Sequence, residues 1–375
     1  MSSVSRAIWQ ESGTDAGDLG GVDPVMTVHK LSAGDGYRYL TRQVASADQR
    51  RGGAGLAGYY TATGTPPGRW LGAGGADLGL SGQVSERQMV ALFGKGMHPD
   101  AEQIVAAEQA LGASPRQAAR VASLGRPFPV YADSARRAVA GYDLVFTPVK
   151  SVSVLWGLAG DTVRGEVEAA HRDAVADVLG WLERDAAFTR LGDGGVAQVE
   201  THGLIAAAFD HRDSRLGDPD LHTHVAVSNK VRARVDYDNG SPRWVALDGR
   251  ALFAAGVAAS ERYNTRIEDN LRHRLGVDFI ERPDTVGRGK RPVREIAGIP
   301  AGLVAGFSRR REVIEDRYAH LSSHTPPTAP PTDAARTPRP RWRWPSRPPW
   351  TPGRRRSRRW RSGSSWRRGG AAPSS

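Results

Sequence analysis

The chain has 375 residues, with 52 Lys and Arg against 40 Asp and Glu, a formal net charge of +12. It contains no Cys, which excludes disulfides, thiolate-held zinc and thiol catalysis. No apolar run approaches the roughly 18 residues of a membrane span, and the polar N-terminus lacks the core of a signal peptide, so the expectation is a cytoplasmic protein with no membrane insertion.

Residues 1–25 are rich in Gly, Ser and Asp without periodicity and read as a disordered extension. Met26 opens a different texture and is a candidate for the true start. From there to residue 322 the chain reads as one mixed α/β body, long enough for one large domain or two small ones. Ser85-Glu86-Arg87-Gln88 is a capping-box pattern opening a short helix that Gly94 is expected to stop. Ala101 to Leu111 reads as helix. Asp143 to Trp156 reads as a strand opening at Asp143, a Pro-containing loop and a buried apolar segment. Asp161 is expected to cap a long helix with Val167, His171, Val175, Val178 and Leu182 on one face. Val196 to Phe209 and Leu221 to Val227 suit strands, and Asp238-Asn239-Gly240 a turn. Leu247 to Leu275 and Phe307 to Leu321 read as helices, and no internal repeat is present.

Beyond residue 322 the composition shifts abruptly. Residues 324–375 hold 13 Arg and one Asp, together with five of the ten Trp and 11 of the 24 Pro. Residues 1–323 balance at 39 basic and 39 acidic side chains, so the excess charge belongs to the tail. Interaction tails are usually Lys-rich or acidic and poor in Trp. The mixture resembles GC-rich DNA translated out of frame, and the expectation is a disordered tail over 323–375 that follows a lost reading frame. A nucleic-acid-binding arm is the alternative.

The sharpest chemical feature is the stretch Phe209 to His224. His222 and His224 are two apart, which on a strand points both to one face. His211 precedes them across the turn-forming Gly217-Asp218-Pro219. If the two segments pair around Leu216 and Gly217, the three imidazoles converge into a metal site with open positions. Four of the nine Tyr (Tyr37, Tyr39, Tyr59 and Tyr60) fall within 24 positions. A phenol can attack phosphorus, although core packing is the commoner fate of tyrosine. Asp143 is placed to orient a ligand imidazole or to accept a tyrosine proton. Lys150 with Ser151 and Ser153, and Arg309 to Arg311, are candidates for phosphate contacts. His171 reads as a core histidine, and Trp70, Trp156, Trp181 and Trp244 as core rather than stacking platforms.

These residues resemble the MobF relaxases, the TrwC/TraI type. The similar stretches are Met26–Tyr39, Tyr59–Gly72, Gly141–Val154, Phe209–Asn229 and Phe307–Glu315, in the family's order and covering about 26–322. The resemblance implies an α+β fold, an antiparallel palm-like sheet flanked by helices of the HUH endonuclease type. It implies strand-specific nicking of single-stranded or hairpin origin-of-transfer DNA, with tyrosine attack leaving a 5′-phosphotyrosine. It also implies His211, His222 and His224 as ligands of a divalent metal, Mg or Mn ahead of Zn. Asp143 stands in the place of the family's active-site Asp. Nucleophiles would come from Tyr37 or Tyr39 and from Tyr59 or Tyr60, while Lys150, Ser151 and Arg215 would contact DNA. Conjugation machinery proteins are the implied partners. Here the first cluster is Tyr-Arg-Tyr rather than an adjacent pair, which leaves open which tyrosine attacks. Two rival readings are a non-catalytic remnant that only binds DNA and a rolling-circle replication initiator. The His block lies after the tyrosines, against the initiators' usual order.

Overall fold

The computed structural model describes residues 26–42, 67–129, 137–214, 216–285 and 292–309, with 312, 313, 316 and 320. The extension 1–25, Tyr59, Tyr60, Arg215, Arg310, Arg311 and the tail 323–375 lie outside the described residues. The chain divides into two units, Met1–Ala319 and His320–Ser375, and everything below concerns the first.

The centre is a five-stranded antiparallel sheet of order β1-β3-β7-β6-β2. Its strands are β1 (Met26–Ser32), β2 (Arg69–Leu71), β3 (Val139–Phe146), β6 (Ala206–Asp213) and β7 (Pro219–Ser228). The α+β expectation holds. Asp143 sits in the middle of β3 rather than at its start, because the strand begins at Val139. The segment read as Val196–Phe209 splits into β5 (Ala197–Glu200) and β6, and β5 pairs instead with β4 (Phe188–Leu191) in a separate hairpin.

Strand alternation divides the sheet into two faces. Leu144, Phe146, Ala206, Ala208, Val225 and Val227 pack into the larger core with Val167, Val175, Val178 and Leu182 of the 25-residue helix Asp161–Asp185. Each fully buried side chain of this size stabilises by about 1.5–3 kcal/mol. The helix Gly256–Leu275 adds Ala259, Tyr263, Ile267 and Leu271 to the same core. Ile205, Ala207, Phe209 and Ala226 face the other way, onto a smaller core with Leu31, Tyr37, Leu40, Trp70 and Phe93.

Several boundaries differ from the sequence reading. The Ser85 capping box is present and opens the helix Glu86–Met89. That helix passes into a π-turn, Val90–Lys95, which runs through Gly94 and stops at Gly96, whose φ of 68° supplies the left-handed cap. Gly160, not Asp161, is the N-cap of the long helix, and Asp161 is the acidic residue of its first turn. The buried apolar segment after Pro148 is a helix, Lys150–Leu158. The Leu247–Leu275 segment breaks at Ala255 into Gly249–Ala254 and Gly256–Leu275. Phe307 closes a helix, Ala301–Gly306, rather than opening one, and described residues 309, 312, 313 and 316 are helical. The Tyr237–Ser241 turn forms as expected. Among the described residues no helix is long and apolar enough to cross a membrane.

Candidate metal centre

The β6–β7 hairpin sets the site. Its register places His211 opposite His222, and Phe209 opposite His224. Alternation then brings all three imidazoles to one face of the sheet. Their ring centroids are 5.1–5.3 Å apart, and one nitrogen from each lies within 4.8 Å of the others. The turn is built by its own polar residues. Ser214 N–H donates to the Asp218 carbonyl, and the Ser214 hydroxyl accepts from the Leu216 and Asp218 N–H groups. Gly217 takes φ 77°. Arg309 closes the turn from outside, with its guanidinium on Asp218 and on the Leu216 carbonyl. Arg309, a candidate for phosphate contact, thus pairs with the turn through a side chain that stays exposed.

Two rings have their tautomers fixed by neighbouring acceptors. His222 Nδ1 lies 2.7 Å from the Asp220 carbonyl oxygen, and His224 Nδ1 lies 2.8 Å from Asp143 Oδ2. A proton on each Nδ1 leaves Nε2 bare. His211 is held neutral, because burial, then His222 and His224, push its pKa down to about 3. Its Nε2 lies 3.3 Å from the Leu40 carbonyl, which ties the helix Arg38–Arg42 to the cluster. Three imidazoles with a carboxylate behind one of them fit a divalent transition metal.

Asp143 is 1% exposed, and its Oδ2 accepts a second hydrogen bond from the Tyr39 hydroxyl at 2.5 Å. The Tyr39 ring also meets His224 edge-on, with centroids 5.9 Å apart. Burial raises the Asp143 pKa, but the His224 ring and the Tyr39 hydroxyl outweigh it and hold the carboxyl below its usual range. Tyr39 is shifted the other way, first by burial and then by the Asp143 carboxylate, so the resting phenol keeps its proton.

The other sequence candidates separate. Tyr37 is 2% exposed and packs with Leu31, Leu40 and Phe93 in the smaller core, because the one-residue spacing within Tyr-Arg-Tyr turns the two rings apart on a helical start. Ser151 is fully buried: its hydroxyl accepts from Ile296 N–H and its own N–H donates to Glu295. A DNA contact for Ser151 is therefore withdrawn. Ser153 is likewise buried, accepting from Leu221 N–H. Lys150 donates to the Pro219 carbonyl and pairs with Asp220, steadying the start of β7. Trp70 is core, as read, whereas Trp156, also read as core, is half-buried, with the guanidinium groups of Arg164 and Arg212 lying 5.7 and 5.9 Å from its ring centre.

Sequence reasoning missed His29, which pairs in register with Asp143 and stands on the site's face. It also missed the polar groups behind the sheet, Asp210 and Thr223. Their signal was present: in Asp-His and His-Thr-His the residues next to each ligand must point to the opposite face.

A family model described as TrwC relaxase matches residues 33–346. The chain belongs to the TrwC relaxase family. The Multifunctional conjugation protein TraI of Escherichia coli is 31% identical over 280 residues, which is 72% of this chain and 14% of TraI. TraI of Escherichia coli strain K12 is 29% identical over 279 residues, with the same shares. The relaxase domain thus spans about a seventh of the length of the curated relatives it matches. Among solved structures, the conjugative relaxase TrwC in complex with OriT DNA, metal-bound, is 24% identical with a TM-score of 0.54, covering 81% of this chain and 86% of that one. TrwC complexed with a 27-mer DNA comprising the recognition hairpin and the cleavage site aligns with a TM-score of 0.52 at the same identity and coverage. These neighbours share the fold of the relaxase domain. The family match also runs past residue 322, into the compositionally shifted stretch.

Proposed function

We propose that this relaxase domain nicks one strand of origin-of-transfer DNA by attack of the Tyr39 hydroxyl on the scissile phosphate. The observation that carries the reading is the shared carboxylate: Asp143 Oδ2 bonds both the Tyr39 hydroxyl and the His224 ring. One residue thereby orients the nucleophile and a metal ligand together.

In the reaction the Tyr39 oxygen forms a bond to phosphorus and the bond from phosphorus to the 3′ oxygen breaks. The products are a 5′-phosphotyrosine and a free 3′-OH. Asp143 is the nearest acceptor for the phenolic proton, and the departing 3′ oxygen takes up a proton. His211, His222 and His224 would hold a divalent cation, which when bound supplies charge stabilisation to the phosphate oxygens. Mg or Mn suits phosphoryl chemistry, and the nitrogen donor set also admits Zn. The metal-bound complex of TrwC with OriT DNA supports a cation of this kind.

The substrate reading is a single-stranded or hairpin origin, supported by the OriT DNA named with TrwC. Conjugation machinery proteins are the proposed partners, in the cytoplasm. Tyr59 or Tyr60 is assigned the second transesterification, and Arg215 and Lys150 DNA contacts. Because residues 1–323 carry no net charge, DNA contacts rest on local patches rather than on a global field.

The test is a cleavage assay on the full chain with Mn²⁺ and a cognate origin oligonucleotide. Wild type is expected to give a covalent protein–DNA band, and Tyr39→Phe to lose it. Folded, metal-loaded wild type that binds origin DNA without any adduct would establish the non-catalytic remnant instead.

A further inference from the structure

Behind the metal centre, on the opposite face of the sheet, runs a buried chain of polar groups that nicking does not use. Tyr263 Oη lies 2.7 Å from His171 Nδ1, and His171 Nε2 lies 2.7 Å from Thr223 Oγ1. The Thr223 hydroxyl donates to Asp210 Oδ1 at 2.6 Å, and Arg69 donates to Asp210 Oδ2 at 2.6 Å. Tyr263, His171, Thr223 and Asp210 are all at most 6% exposed.

The proton order along this chain is unique. Thr223 has one hydroxyl proton, and it goes to Asp210. Thr223 must therefore accept from His171 Nε2–H, which leaves His171 Nδ1 bare to accept from the Tyr263 hydroxyl. His171 is neutral throughout. Burial is the main cause, and its pKa falls to about 4. Every member is satisfied, which is the condition under which a buried polar network specifies a single arrangement.

Its place in the ladder gives it a role. Asp210 and Thr223 are direct cross-strand partners. The next rung on one side is His211 with His222, and on the other Phe209 with His224. The Thr223–Asp210 bond is thus the rung between the two that carry the three imidazoles. Beyond His211 the register shifts before Asp213, so the regular ladder ends at the ligand rung. A slip of one residue would turn every ligand to the wrong face. Arg69 fixes the same rung to β2, and His171 and Tyr263 fix it to the two long helices.

We infer that Thr223, Asp210, His171 and Tyr263 are positioning residues for the metal centre, locking the ligand strands in register from the far side of the sheet. This rests on the reading of His211, His222 and His224 as metal ligands. None of the four touches a ligand ring, so they act through the register of the two rungs that carry the imidazoles.

The test titrates Mn²⁺ into the full-length protein by calorimetry, well below the melting temperature. Thr223→Val, nearly isosteric, removes the buried hydrogen bond to Asp210 and is expected to weaken Mn²⁺ binding about tenfold, and Thr223→Ser to restore it. Val178→Ala, in the same core and on the same helix as His171 but outside the polar chain, lowers the melting temperature and leaves Mn²⁺ affinity unchanged. If Thr223→Val does not fold, Tyr263→Phe, which deletes only the far hydroxyl, is expected to weaken Mn²⁺ binding by about threefold. Wild-type affinity in the folded variant, or loss of affinity in Val178→Ala equal to that in Thr223→Val, overturns the inference. Wild-type protein that takes up no Mn²⁺ overturns the metal-site reading and this inference with it.

Discussion

Asp143→Asn separates what the carboxylate does for the site from what it does for the fold. The side chain is 1% exposed, and Oδ2 accepts hydrogen bonds from His224 and Tyr39. Hydrogen bonds to a charged acceptor are worth about 1.5–3 kcal/mol each, so roughly 3–6 kcal/mol for the pair. Against this stands the desolvation of the carboxylate, which costs on the order of several kcal/mol. It is aggravated by Oδ1, which is buried and accepts no hydrogen bond from any described residue. The terms nearly cancel, and Asn keeps the shape and one acceptor oxygen. Thermal stability of the metal-free variant is therefore expected within about 2 kcal/mol of wild type. Metal binding has no such compensation, because the amide no longer holds the His224 ring as a charged acceptor does. Mn²⁺ affinity should fall ~10–100-fold, or about 1.4–2.7 kcal/mol. Calorimetric titration with Mn²⁺ at neutral pH, paired with a melt of the metal-free protein, reads both quantities. A variant that binds Mn²⁺ within about twofold of wild type would refute the argument that this carboxylate orients the ligand.

Four further outcomes are expected. Tyr37→Phe retains the covalent DNA adduct and Tyr39→Phe abolishes it, read on a denaturing gel with labelled origin strand; the reverse pattern would move the nucleophile into the smaller core. Mn²⁺ at about 100 times its Kd raises wild-type stability by roughly 2.7 kcal/mol, a shift that His211→Ala removes in a thermal melt. Gly72→Ala is destabilising by about 1–3 kcal/mol, since Gly72 holds φ 86° and a Cβ there would stand 2.3 Å from the Leu204 carbonyl oxygen; unchanged denaturant midpoints would contradict this. Lys230 is buried with its ammonium on the Arg126 carbonyl and over the Phe128 ring, and burial lowers its pKa from 10.5 to about 8. The folded state therefore sheds this proton before the unfolded state does. Its contribution becomes more favourable as pH rises from about 8 toward 10.5. Denaturation across that window should show a slope in wild type that is absent in Lys230→Met.

Alternation along single strands was legible in the sequence, and it carried the metal centre. His222 and His224 are two apart, and His211 lies as far before the Leu216–Gly217 pivot as His222 lies after it, so once the segments pair all three share one face and His211 stands opposite His222, because side chains on a strand alternate with period two. The long helix was legible for a similar reason, through Val167, His171, Val175, Val178 and Leu182 at helical spacing. Residue order along the chain could not choose between Tyr37 and Tyr39. That choice depends on which ring the helix Arg38–Arg42 turns toward β3, a contact across 104 positions. Nor could it place Ser151, whose burial is decided by the docking of the strand Arg294–Ile296. The same holds for Thr223 and Asp210, whose partners Tyr263, His171 and Arg69 come from three other elements. The excess charge at the C-terminal end, the first feature visible in the composition, belongs to none of these. The strand period fixes which way a side chain points, and only the packing of distant elements decides what it meets there.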